Sequence, residues 1–268
     1  MPRLTALDPS NDNLESFDSY HPTQEKASAT RLRLSVGEHE DPRDPLSDTV
    51  LAWLHDSVDG RRSEWPWETR AREREFESSV VSRLFPIHDT RTPVMRLRDH
   101  SRATALAARV VVDRIGLGCG DQAFAVGWLH DMGLAAQLRQ IEADALATEE
   151  ERFEQIWPSL LRGAGDAAAH IAYAWRLPTG IRCAIQEHKS FSKLRSSNQL
   201  AAATFVAEHL AGCMGCGFRD EQPTSGLRVA LSRLRLTERD LAPLGRGAER
   251  LLAREAWYWM GALPCAGA

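Results

Sequence analysis

The chain has 268 residues, 43% of them hydrophobic and 26% charged, a balance that suits a globular protein with one large core or one domain plus an appendage. Its net charge of −4 gives no electrostatic reason to expect nucleic acid as a general partner, and no run approaches the roughly 18 uninterrupted apolar residues of a bilayer helix. The first residues lack the apolar run of a secretory signal, and Cys119, Cys183, Cys213, Cys216 and Cys265 do not frame a disulfide scaffold, so a cytoplasmic compartment is expected.

Residues 1–45 carry Pro2, Pro9, Pro22, Pro42 and Pro45 among Asp, Ser and Asn with no sustained period, which predicts an extended or mobile lead-in. From Leu46 the pattern turns helical, with Leu51, Leu54 and Val58 on one face. Five Arg and five Glu between Arg61 and Glu77 then suit a solvated helix laced with i,i+4 pairs, and Val80, Val81 and Leu84 follow. Residues 46–90 therefore predict a small N-terminal helical lobe.

From 91 to 262 the pattern is almost continuously helical. Breaks fall at Gly116-Leu-Gly-Cys-Gly120, Arg162-Gly-Ala-Gly165, Leu177-Pro-Thr179, Ser196-Ser-Asn198 and Glu221-Gln-Pro-Thr-Ser-Gly226. Alternating β-type runs are nearly absent, so the expected fold is all-α, a helical bundle of five to seven helices over these residues.

Within that bundle His130 and Asp131 stand side by side in the apolar run Ala125-Val-Gly-Trp-Leu-His-Asp-Met-Gly133. Burying a polar group without a partner costs roughly 2–7 kcal/mol, so this pair asks for a hydrogen-bond network or a metal. Three further groups lie on inward faces. His100 precedes Ala103, Ala107 and Val110 at +3, +7 and +10; Ile181, Ala184 and Ile185 share a face with His188 in a helix that Thr179 can cap; Ala201, Thr204 and Phe205 lie at −7, −4 and −3 from Glu208 in a helix that Asn198 can cap. Asp121 is the expected cap of the His130 helix and Gly133 its expected terminator. His100, His130, Asp131, His188 and Glu208 are thus candidate ligands of one divalent ion, Fe, Mn, Zn or Mg, and the alternative is a satisfied core network without an ion.

Other motifs are weaker. Cys213-Met-Gly-Cys216 has the spacing of half a zinc knuckle or a redox pair, but no second pair exists and the motif follows a helix, so a structural role is expected. The Gly116–Gly120 turn reads as a connector. Arg228, Arg233, Arg235, Arg239, Arg246, Arg250 and Arg254 are offset by Glu238, Asp240, Glu249 and Glu255 and read as a solvated face. Trp257, Tyr258 and Trp259 would pack onto the domain or form an apolar patch for a homodimer.

The segments Asp99–Arg109, Ala123–Gly133, Trp175-Arg-Leu-Pro178, Ala184-Ile-Gln-Glu-His188, Phe205–Ala211 and Ala230–Leu241 together resemble the HD superfamily and specifically its HDOD branch. The resemblance covers about residues 90–245, with Asp44-Pro-Leu46 as a remnant of the family's N-terminal helices. In catalytic members a His, a His-Asp pair and a distant Asp hold a divalent metal whose bound water attacks a phosphate ester. The resemblance implies His100, His130, Asp131 and Glu208 for those positions, with His188 as an extra ligand and Asp131 as the catalytic residue of an active protein. Departures are Glu208 in place of Asp, Ala164 and Lys189 in place of His, and Leu134 in place of a Lys common in cyclic dinucleotide phosphodiesterases; a Gly-Tyr-Pro motif is missing.

The HDOD branch is regarded as a signalling and scaffold module. The resemblance therefore implies a bacterial regulatory protein that binds signalling proteins or a small phosphorylated ligand. The rival expectation is a metal-dependent phosphohydrolase acting on a nucleotide or phosphodiester.

Overall fold

The computed structural model describes residues 41–59, 66–85, 92–141, 150–188, 198–218 and 224–262. Residues 1–40 of the lead-in expected over residues 1–45, the side chains of Trp257, Tyr258 and Trp259, and Cys265 lie outside the described residues. Every regular element among the described residues is a helix, so the all-α expectation holds: α1 Asp48–Val58, α2 Pro66–Leu84, α3 Thr92–Ile115, α4 Gly120–Leu129, α5 Met132–Arg139, α6 Glu150–Ala174, α7 Thr179–Glu187, α8 Gln199–Ala211, α9 Thr224–Arg233 and α10 Glu238–Ala262. A single π-helical turn, Gly212–Cys216, follows α8. No helix among these residues is long and apolar enough to cross a membrane.

Three helices form the centre: α4 and α8, which are apolar or small on nearly every side, and α3, which turns an apolar and small face inward and its charges outward. In α3 Ala103–Ala108 are all buried, α4 is buried from Ala123 to Leu129, and α8 is buried from Leu200 to Ala207. A helix that is apolar all round has no face to offer water and must be enclosed. The α3–α4 pairing is unusually close, since a Cβ on Gly127 would stand 2.4 Å from the Ala105 Cα. Helices α5 and α6 meet as tightly at Gly133, where an added Cβ would lie 1.8 Å from the Ala164 carbonyl oxygen.

The remaining elements enclose this centre. Ser47 caps α1 by accepting the Val50 amide at 3.3 Å, and Val50, Leu51, Trp53 and Leu54 turn inward to the same core as α4. Asn198 caps α8 as expected, its Oδ1 accepting the Leu200 and Ala201 amides at 3.0 and 3.2 Å. The chain before α1 is tied down too, because Trp175 donates Nε1–H to the Pro42 carbonyl at 2.8 Å.

Three expectations are corrected. The charges of α2 do not all face water: Glu73 pairs with Arg109 and Glu77 with Arg102, the latter at 3.4 Å, and Arg109 also reaches Asp121 at 3.3 Å. Glu77 is buried, so these side chains join α2 to α3 rather than lacing α2 along its own face. Asp121 spends its carboxylate on Arg109 and does not cap α4, whose cap position is Cys119. Likewise Pro178, not Thr179, occupies the cap position of α7.

Candidate metal centre

The helix expected to run from Asp121 to Gly133 instead stops at Leu129, and the His-Asp pair is the joint between α4 and α5. His130 sits in the C-cap position, and its ring donates Nδ1–H to the Gly127 carbonyl at 2.7 Å, satisfying an acceptor that the ending helix leaves over. The same device recurs at the end of α7, where His188 donates Nδ1–H to the Ile185 carbonyl at 2.6 Å. His100, midway along α3, donates its Nδ1–H at 2.9 Å to the carbonyl of Cys216 in the π-helical turn.

A carbonyl oxygen can only accept, so all three rings must carry their proton on Nδ1 when neutral. Each Nε2 is then a lone pair, and the two on His100 and His130 stand 3.2 Å apart. Facing lone pairs repel unless a positive charge sits between them. The negative charge to hold such a cation is present: an Asp131 carboxylate oxygen lies 3.3 Å from His130 Nε2, and the ligand atoms of His100, His130, Asp131 and Glu208 all lie within 4.8 Å of one another.

The residues fit a divalent ion. Two nitrogens bonded at about 2.1 Å to one ion, at angles near those of tetrahedral or octahedral sites, stand roughly 3.0–3.4 Å apart, which brackets the observed separation. Two imidazoles and two carboxylates form a donor set suited to Zn, Mn or Fe, and each imidazole donates its far nitrogen to a backbone carbonyl, as metal-bound histidines do. Had the rings instead been protonated on Nε2, this cluster would be a poor ligand set.

The centre is closed. His100 and His130 are each 3% exposed, Asp131 6% and His188 1%, while Glu208 on α8 is half-buried and marks the more open side. His188 packs edge-on against His130, with ring centroids 5.3 Å apart, and so borders the four-residue cluster rather than belonging to it by distance. Nearby, burial and the Asp99 charge push the Cys216 thiol up, and burial pulls the His209 imidazole down.

Residues 77–191 match the family model of the HDOD domain. This stretch of the chain is similar to the HDOD domain. No curated protein and no solved structure matches the chain. Of the candidate ligands, His100, His130, Asp131 and His188 lie inside the matched HDOD stretch, and Glu208 lies beyond it on α8. The departures from catalytic relatives have structural counterparts: Leu134 is 2% exposed in the core of α5, and Ala164 packs its backbone against Gly133, so small and apolar residues fill those places in this chain. The sequence reading missed the three carbonyls of Gly127, Ile185 and Cys216 that orient the imidazoles. Backbone groups carry no residue-type signal, although a His at the end of an apolar helix was itself a hint of capping.

Proposed function

We propose that this protein is a regulatory HDOD protein whose His-Asp cluster binds a divalent ion as a structural and signalling centre, and which acts through binding rather than turnover. The observation that supports this most is the enclosure of the cluster: three of its four groups are at most 6% exposed. Structural metal sites are closed by protein ligands, whereas hydrolytic sites keep a position open for water and substrate. His100, His130, Asp131 and Glu208 would hold the ion, with His188 as the adjoining fifth group. When bound, it would supply the positive charge that the facing Nε2 atoms require and join α3, the α4–α5 joint and α8 at one point.

Surface chemistry for a partner lies elsewhere. A groove of about 530 Å³ runs between α3 and α10, lined by Val110, Asp113, Arg114, Leu244, Arg250 and Arg254. Its arginines offer positive charge over an apolar floor, which suits a small phosphorylated ligand.

The rival phosphohydrolase reading draws on the presence of all four ligand-type groups and on half-buried Glu208 as an open side. Assaying metal-loaded protein on nucleotides and bis-(p-nitrophenyl) phosphate separates the two. The regulatory reading expects rates no higher than those of Asp131→Ala; turnover that disappears in that variant would transfer the assignment to the hydrolase.

A further inference from the structure

The segment after α8 contributes only a backbone carbonyl to the centre, yet it carries two thiols. In the Gly212–Cys216 turn Gly215 has a φ of 76°, a left-handed conformation that costs glycine little. The chain then closes on itself, since a Cβ on Gly217 would lie 3.4 Å from the Gly212 Cα. Cys213 and Cys216 are the residues just inside this neck, three apart in one turn, a spacing at which helical Cα atoms come within the about 4.4–6.8 Å span that a disulfide requires. Cys213 is exposed and Cys216 half-buried.

The reduced sulfurs point to separate neighbours. Cys213 Sγ lies 3.7 Å from His209 Nε2, and Cys216 Sγ approaches the Met214 carbonyl at 4.0 Å. Linking them requires both side chains to leave these neighbours and rotate toward each other, and whatever backbone adjustment the S–S geometry asks for is easiest at Gly215. The downstream end cannot easily follow, because Arg96 donates to the Phe218 carbonyl at 3.3 Å and the Phe218 ring packs on Trp157 with centroids 5.7 Å apart. The adjustment therefore falls on residues 213–216. That segment contains the Cys216 carbonyl, the acceptor of His100 Nδ1–H at 2.9 Å.

We propose that Cys213 and Cys216 form a reversible dithiol–disulfide pair that shifts His100 through the Cys216 carbonyl, so that peroxide controls the geometry of the His-Asp centre. The sulfur of Cys213 attacks one oxygen of the peroxide and the O–O bond breaks. The departing hydroxide takes the thiol proton as water and leaves a sulfenic acid. The sulfur of Cys216 then attacks the Cys213 sulfur, the S–O bond breaks, and the second hydroxide leaves as water with the Cys216 proton. Two thiols are oxidised and one peroxide is reduced to two waters. Only the metal consequence rests on the metal-binding reading of the centre; the movement of His100 does not.

The test uses the full chain, reduced or treated with hydrogen peroxide and then re-reduced with dithiothreitol. Peptide mass mapping should find Cys213 joined to Cys216 with the loss of two hydrogens, reversed by the reductant. Long-range ¹H–¹⁵N spectra should show the His100 Nδ1 resonance move on oxidation, and Mn²⁺ affinity should fall at least tenfold, the scale of losing an outer-shell partner. Cys213→Ser, a change at an exposed site, should show none of these responses. Failure of the link to form, or a link that leaves the His100 resonance in place, overturns the proposal. Reduced wild-type protein that takes up no Mn²⁺ overturns the metal reading alone, and the imidazole spectra still decide the thiol pair.

Discussion

His100 and His130 face each other through Nε2 atoms 3.2 Å apart while each commits Nδ1 to a backbone carbonyl, on Cys216 and Gly127. Their neutral forms leave lone pair against lone pair, so Asp131, whose carboxylate lies 3.3 Å from His130 Nε2, is what makes a cation between them affordable. Asp131→Ala should lower stability by about 1–3 kcal/mol, the cost of leaving a buried polar partner unmatched. Urea denaturation of the two proteins measures it, and an unchanged midpoint would show that the carboxylate is not coupled to the rings.

Gly127→Ala should be among the most damaging single changes in the chain. Its Cβ would fall 2.4 Å from the Ala105 Cα and 2.6 Å from the Ala105 nitrogen, and backbone cannot rotate away. Helices α3 and α4 would have to part, carrying His100 from His130, at a cost of about 1–3 kcal/mol or more for overpacking a filled core. Gly165→Ala is the control: it lies within α6 with open space around it and should stabilise by about 0.5–1 kcal/mol through helix propensity. Thermal melts of the pair that shift in the same direction would refute the close-approach account.

Stability should fall as pH rises through the acid-to-neutral range, because of Glu77. Burial pushes its carboxyl from 4.5 up to about 7, and the charges of Glu255 and Glu73 add to this, while Arg102 and Arg74 work against it. A carboxyl whose pKa is raised in the folded chain favours folding fully below about 4.5, loses that contribution as pH climbs, and has none left above about 7. The difference amounts to about 3 kcal/mol. Glu77→Gln should flatten this part of the pH–stability curve, and a variant curve parallel to the wild type would show that another group is responsible.

The helical character of the domain and the inward faces of His100, His130 and Glu208 were legible because apolar and small residues recur at helical spacing around each of them. The site was harder to see where one residue does two jobs. His130 looks like part of a continuous apolar helix, yet its ring ends that helix by taking the Gly127 carbonyl, and Asp131 becomes the turn. Glu73, Glu77 and Asp121 were misread for a related reason: spacing along a helix suggests neighbours on that helix or its own terminus, whereas their partners, Arg109 and Arg102, come from α3, which only tertiary packing brings alongside. The spacing of Cys213 and Cys216 was legible, but the contact of their turn with His100 was not, because it runs through the Cys216 carbonyl.

The central claim is that the cation shared by His100 and His130 is a divalent ion rather than a proton. Plasma emission spectroscopy on tag-free protein purified without chelators, with Asp131→Ala beside it, measures this directly. Close to one Fe, Mn or Zn per chain, lost in the variant, is the predicted result; wild-type protein that is folded and metal-free after incubation with these ions would contradict it and leave a proton-bridged core network in its place.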